Sequence, residues 1–401
     1  MGVENNIPEG WVETSIGKVT VVESGGTPST KNSLYWSDEI PWITPRDLSS
    51  FKDVFIEKGE RSISIEGLKN SSAKLLPKNT ILFSSRAPIG YVVIAQNETA
   101  TNQGFKNLIC DEVNSHFKYF YYLMKYKADF IERLSSGSTF SEASGTLIKS
   151  IELNLPLLHE QKAIAKVLTA FDDKIELLQA QNKTLETMAQ TIFKEWFGKY
   201  QVGDELPDGW RVGDIYNVLD VQYGYPFKSK LFNENKEGLP LIRIRDIRKG
   251  VTGFYTTESY EEEYIISSGD VLAGMDALFQ PYLWSGGKGL LNQRACRFIP
   301  KDFASRIFVF EFMKPHLSFY EKTKVGTTVI HLGKGDLDFI ETVIPDKESL
   351  LKFKDLTTPI EEKIINNQQE IQSLSKTRDT LLPKLMSGKV RVNNIKQTAD
   401  A

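Results

Sequence analysis

The stretch TAFDDKIELLQAQNKTLETMAQTIFKEWFG, residues 169–198, decides the architecture. In and just before it, Ile164, Phe171, Leu178, Leu185 and Ile192 recur every seventh residue. Leu168, Ile175, Asn182, Ala189 and Trp196 do the same, four positions further on. Apolar residues in two such rows form the a/d seam of a long helix that packs on another helix. A second stretch of this kind follows Thr358. There Ile360, Asn367, Leu374 and Leu381 form one row, and Ile364, Ile371, Arg378 and Leu385 the other.

Both rods carry start signals, since Thr169 is followed three residues on by Asp172, and Thr358 by Glu361 with Pro359 in the first helical position. Each ends near a glycine, Gly198 or Gly388. Laid antiparallel with Asn182 facing Asn367, the rods put Leu168 on Leu381, Ile175 on Leu374, Leu178 on Ile371, Leu185 on Ile364 and Ala189 on Ile360. Phe171 against Arg378 is the one poor layer. An asparagine slipped onto leucine would lose about 1–3 kcal/mol of hydrogen bonding, so the Asn pair penalises other registers. Rods that pack on other subunits, or that are buried separately in globular domains, remain open; the matched register favours an intramolecular pair.

The remainder of the chain is written twice. Pro8-Glu9-Gly10-Trp11 returns as Pro207-Asp208-Gly209-Trp210, and Ile40-Pro41-Trp42-Ile43 leading to Arg46-Asp47 returns as Leu239-Pro240-Leu241-Ile242 leading to Arg245-Asp246. Asn79-Thr80-Ile81-Leu82 matches Gly269-Asp270-Val271-Leu272, Asn102-Gln103 matches Asn292-Gln293, and Lys174-Ile175 matches Lys363-Ile364. The offset drifts only from 199 to 189 residues, far too long for a solenoid unit. Two copies of one domain plus one helix account for it.

Within the copies, strands are expected over Lys18 to Val22, Thr80 to Phe83, Gly90 to Ala95, Ile242 to Arg245, Val271 to Ala273 and Arg297 to Ile299. Aromatic-faced helices are expected over Phe117 to Leu134 and Phe303 to Phe319. A short amphipathic helix from His159 to Leu168, and another from Glu348 to Leu356, should precede the rods, with a turn between. The fold class is thus α/β or α+β, with curved mixed sheets in two globular domains, an antiparallel two-helix coiled coil between them and an internal pseudo-twofold repeat. The expected boundaries are 1–157, 158–200, 201–346 and 347–392, with a disordered tail from Asn393 to Ala401.

A chain of 401 residues suits two ordinary domains plus connectors. Its net charge of -3 gives no global attraction to nucleic acid, so any DNA contact must use local basic patches. Cys110 and Cys296 make neither a metal spacing nor a disulfide framework, which fits a reducing cytoplasm. No secretory leader or bilayer-length apolar run is found, so export and insertion are not expected.

Catalytic signatures are missing. Gly286-Gly287-Lys288-Gly289 lacks the spacing and hydroxyl of a phosphate loop. Asn154-Leu155-Pro156-Leu157 lacks the second proline and the aromatic of an amino-methylating loop. His116, His159, His316 and His331 have no metal spacing, and the acidic run at Glu258 and Glu261 to Glu263 reads as a solvated face.

Several phrases together resemble the DNA-specificity (S) subunit of type I restriction-modification enzymes, over nearly the whole chain. They are Gly25-Gly26-Thr27-Pro28, Ile40-Pro41-Trp42-Ile43, Ser85-Arg86-Ala87-Pro88-Ile89-Gly90 with Thr101-Asn102-Gln103-Gly104, and Leu155-Pro156-Leu157-Leu158-His159-Glu160-Gln161. Asp270 to Asp276 and Leu290 to Cys296 look like a second variant of the same domain. The second copy departs in having Tyr223-Gly224-Tyr225-Pro226 and no Arg-Ala-Pro-Ile-Gly phrase, so its half-site should differ.

The resemblance implies two target-recognition domains, each reading half of an asymmetric split site on double-stranded DNA. It further implies a helical pair that spaces them and docks two adenine-N6 methyltransferase subunits, with motor-nuclease subunits in the full complex. S-adenosylmethionine, ATP and Mg would then belong to those partners, and this chain would hold no cofactor, no metal and no catalytic residue. A rod of roughly 28 residues is about 40 Å long at ~1.5 Å per residue, close to the roughly 34–36 Å between half-sites one turn apart.

Base edges would be read by polar and Arg side chains and phosphates held by Lys, Arg and loop amides. The candidates are Thr27, Arg46, Arg86, Ser136, Ser138 and Thr139 in copy one, and Arg243, Arg245, Arg248, Lys249, Lys324, Thr327, Thr328 and Lys334 in copy two. Competing with this, Arg46-Asp47 and Arg245-Asp246 are equally suited to capping a strand, and Asn102-Gln103 and Asn292-Gln293 to tying down a turn. A free-standing DNA-binding regulator, and a chain with its own nuclease, are the alternative functions.

Overall fold

The computed structural model describes residues 7–135, 142–276, 279–323 and 331–392. The tail from Asn393, and the candidates Ser136, Ser138, Thr139, Lys324, Thr327 and Thr328, lie outside the described residues. The chain divides into two compact units, Met1–Glu176 with Leu374–Ala401, and Leu177–Ser373. Each unit therefore owns a piece of both rods.

Each rod is one unbroken helix of 40 residues, Leu158–Phe197 and Lys347–Met386. This corrects the expected short helix and turn ahead of each rod. The start signals Thr169 and Thr358 sit inside the helices, and the Thr358 hydroxyl donates back to the Lys354 carbonyl at 2.7 Å instead of capping. Pro359 lies within the helix, which forgoes one backbone hydrogen bond there.

In the first unit the rods run antiparallel. Leu168 is fully buried in one cluster with Leu381, Leu382 and Leu385, while Arg378, next to Leu374 on the seam, pairs with Asp172. The layer expected to be poor is thus closed by an ion pair beside the half-buried Phe171. In the second unit Asn367 Nδ2 donates to Asn182 Oδ1 at 2.9 Å and Asn182 Nδ2 to the Ile364 carbonyl at 3.3 Å, both asparagines being buried. Leu178 and Ile364 are buried, Leu185, Ile360 and Ile371 half-buried, and Ala189 shares a core with Ile360. A rising number on one helix meets a falling number on the other in both units.

The first unit builds a mixed five-stranded sheet in the order Thr20–Ser24, Phe105–Cys110, Ile81–Ser84, Val92–Ala95, Phe55–Ile56, antiparallel except for the last pair. Beside it Arg61–Ile63, Trp36–Ile43 and Ala100–Thr101 form three strands, the last pair parallel. The helix Phe117–Ser135 packs beside the larger sheet, and its consecutive residues Tyr119 to Met124 are all buried, so it is covered on more than one face, Tyr122 reaching Asp172 of the first rod. The first strand begins two residues later than expected because Ile16–Val19 is a helical turn.

The second unit repeats the plan. Leu219–Tyr223, Ala295–Pro300, Val271–Gly274 and Pro281–Leu283 form an antiparallel sheet under the helix Arg306–Thr323. Leu239–Ile242 and Gly289–Leu291 form the parallel pair that corresponds to Trp36–Ile43 and Ala100–Thr101. The strand expected over Ile242 to Arg245 ends at Ile242, since Asp246 accepts the Arg243 backbone N–H at 3.1 Å and starts the helical turn Ile244–Ile247.

The repeated Pro-x-Gly-Trp phrase has the same task twice. Trp11 Nε1 donates to Glu160 at 3.1 Å and Trp210 Nε1 to Asp346 at 2.9 Å, which ties the opening of each domain to the first turn or the entry of its own rod. Gln161, fully buried, accepts the His116 N–H at 2.9 Å and donates to the carbonyls of Pro156 and Asn114, so the Leu-Pro…Gln phrase is a clamp on two loops. Among the described residues no helix is long and apolar enough to cross a membrane.

Candidate nucleic-acid interface

In each unit five segments cross at one end of the main sheet. In the first, the Gly26 N–H donates to the Thr101 carbonyl (2.8 Å), Asn102 N–H to Ile43 (3.0 Å), Ser85 N–H to Gly104 (2.7 Å) and Ala143 N–H to Ser85 (2.8 Å). In the second, Tyr225 N–H donates to Leu291 (3.0 Å), Asn292 N–H to Ile242 (3.0 Å), Met275 N–H to Arg294 (2.8 Å) and Leu332 N–H to Met275 (2.7 Å). The four bonds correspond one to one at the offsets of the sequence repeat. The same backbone cradle is built twice and furnished with different side chains.

Gly25 and Gly224 are glycine because a Cβ on either would run into the carbonyl oxygen of Asn102 or Asn292. Gly25→Ala and Gly224→Ala are each expected to cost about 1–3 kcal/mol through overpacking, read as a lower midpoint of thermal unfolding; unchanged midpoints would show that the crossing is looser than its geometry.

Around the first cradle, the Thr27 hydroxyl donates to the Gln103 side chain and Gln103 itself is exposed. Arg46 is exposed on a turn that Asp47 holds through the Thr44 N–H and hydroxyl (both 2.7 Å) and the Glu60 N–H (2.9 Å). The aspartate of the Arg-Asp pair is therefore structural and the arginine points outward. Asn102 does tie a turn, accepting the Gly104 N–H at 2.9 Å. Arg86 is half-exposed and bridged to Glu142 at 3.0 Å, which also takes the buried Lys106 at 3.2 Å. Burial pushes the Glu142 carboxyl up, but hydrogen bonds from Lys106 and Arg86 outweigh it and hold it below its ordinary range.

Around the second cradle the pattern changes. Arg243 is not available as expected: its Nε pairs with the buried Asp246 at 2.9 Å and its guanidinium lies 3.7 Å over the Phe254 ring, so it caps the helical turn. Arg245, Arg248 and Lys249 are exposed on that turn, and Lys334 is exposed at the start of Lys334–Asp338. Gln372 of the second rod donates to the carbonyls of Ser285 (2.7 Å) and Gly250 (3.3 Å), fixing the end of the basic turn to the rod. In the first unit Glu176 of the first rod accepts the Val54 N–H at 2.9 Å on the corresponding loop.

Three residues outside the sequence-based candidates join this cluster: Asp276, Arg294 and His331. Asp276 and His331 form an isolated antiparallel bridge, as Arg86 and Glu142 do in the first unit. The repeat offset of Arg86 points to Asp276, but nothing in the sequence joins that residue to His331. Among the described residues no group of three or more His, Cys, Asp and Glu side chains is placed to hold a metal. Cys296 is buried, and burial pushes its thiol up to about 12, which removes it as a nucleophile.

The sequence matches the family model described as type I restriction modification DNA specificity domain twice, over residues 8–187 and 207–375. It is 35% identical over 417 aligned residues to the type I restriction enzyme MjaIX specificity subunit of Methanocaldococcus jannaschii, covering 97% of this chain and 95% of that one. It is 25% identical to the MjaVIII specificity subunit of the same organism, with the same coverage. Among solved structures, the type I restriction-modification S subunit from M. genitalium shares the fold with a TM-score of 0.57 at 16% identity, over 96% of this chain and 98% of that one.

Proposed function

Because this chain belongs to the type I restriction-modification DNA specificity family, we infer that it reads a bipartite DNA site, one half with each unit, and leaves the chemistry to partner subunits. The observation that carries the reading is the duplicated cradle: identical backbone crossings that present Thr27, Arg46 and Arg86 in one unit and Arg245, Arg248, Lys249 and Lys334 in the other. Equal scaffolds with unequal side chains suit two half-sites of different sequence. On this reading the helical pair sets the unread spacer and docks two adenine methyltransferase subunits, and S-adenosylmethionine, ATP and Mg are bound by the methyltransferase and motor-nuclease partners.

Methylated adenines mapped genome-wide in cells with and without this chain test it; a bipartite motif should vanish on deletion, and a methylation pattern that does not change would refute the reading. The spacer has its own test. Inserting one heptad into each rod at facing positions lengthens the pair by about 10 Å. The preferred spacer should then grow by about three base pairs at ~3.4 Å each. An unaltered spacer in a methylation assay would remove the rods from that role.

A further inference from the structure

Resting on the reading of the second unit as a DNA reader, we propose that Asp276 selects a base in the second half-site by accepting a hydrogen bond from an exocyclic amino group, cytosine N4 or adenine N6, in the major groove. Where the first unit sets Arg86 against Glu142, the second sets Asp276 against His331 on the same type of isolated bridge, and the adjoining backbone bonds of Ser85 and Met275 correspond. The positions are equivalent, and a carboxylate stands where the first unit has a guanidinium. A donor toward DNA in one unit becomes an acceptor in the other.

A lone carboxylate aimed at a polyanion would be repelled. Asp276 is not alone: its Oδ1 lies 2.7 Å from His331 Nδ1 and 3.4 Å from Arg294 Nη1, so a guanidinium stands beside it as counter-charge. Its Oδ2 makes no hydrogen bond to any described residue, and the side chain keeps 24% of its surface exposed between the more open Arg294 and His331. Arg294, at the position of Gly104 in the first unit, holds φ at +70°, a conformation that Gly104 itself does not adopt. That backbone favours glycine, and a costly conformation kept by arginine is the kind of outlier that marks a working residue. It places a guanidinium beside Asp276 that Gly104 cannot supply.

Carboxylates accept from cytosine N4, and the amide or guanidinium donors of other readers favour purine acceptors. A guanine O6 or thymine O4 presented to Asp276 would meet oxygen with oxygen. The position it reads should therefore be an amino base on one strand.

The test uses the complete complex of this chain with its methyltransferase partners, whose methylated motif is mapped for the wild type, Asp276→Ala and Asp276→Asn. One position of the second half should be restricted to C or A in the wild type and accept all four bases with Asp276→Ala, every other position in both halves staying fixed. Asp276→Asn, which keeps the shape and adds a donor, should admit G or T there. A motif unchanged in both variants overturns the proposal and leaves the DNA-reading function standing. Methylation lost equally at all sequences in both variants marks a structural role and also overturns it, while a wild-type complex with no bipartite motif takes down both readings.

Discussion

Asp172→Ala is expected to destabilise the first unit by about 1–3 kcal/mol, because the half-buried Arg378 guanidinium loses its buried carboxylate and keeps only the exposed Asp379. The Asp172 side chain is 6% exposed and that of Arg378 19%, while Asp379, 63% exposed, is a solvent-screened and weaker counter-charge. Asp172 Oδ2 also accepts the Tyr122 hydroxyl at 2.5 Å, which joins the aromatic helix to both rods through one carboxylate. The partner double variant decides the cause. Asp172→Leu with Arg378→Leu replaces a desolvated pair by apolar surface and should regain most of the loss in the same thermal unfolding experiment. If the double variant is as unstable as the single one, the damage comes from packing at Tyr122 or Phe171 and the ion pair is incidental.

That pair also shows where sequence reading stops. The seam was legible because period-seven apolar rows are a local signal, and the asparagines could be matched because each rod holds one in an apolar row. In the sequence Asp172 belongs to a helix start, as its spacing from Thr169 suggests, and its partners Tyr122 and Arg378 are brought to it only by tertiary packing. Arg243 is the converse case. In the sequence it belongs to a run of free cations, and in the fold Asp246 and Phe254 consume it. The duplicated cradle was visible as repeated words, since Gly25, Ile43, Asn102 and their counterparts are demanded by backbone crossings. The pairing of Asp276 with His331 was not, because an isolated bridge between residues 55 apart leaves no periodic trace.

The basic turn of the second unit carries the largest expected effect on binding. Arg245, Arg248 and Lys249 stand exposed on it, while Asp246 and Gln372 hold its backbone, so their removal need not disturb the turn. If all three face phosphates, the variant Arg245→Ala/Arg248→Ala/Lys249→Ala in the assembled complex should bind DNA about 100–1,000-fold more weakly near 0.1 M salt. The slope of log affinity against log salt should flatten by about 2.7, roughly 0.9 for each lost contact. Phosphate contacts carry no base information, so the methylated motif should stay the same while its occupancy falls. Arg245 alone can break that pattern: a change of motif on Arg245→Ala would make it a reader of a base edge and leave the other two as anchors. A salt slope equal to that of the wild type would mean the turn is merely solvated, and the second unit would have to grip the duplex through Lys334 and the Asp276 cluster instead.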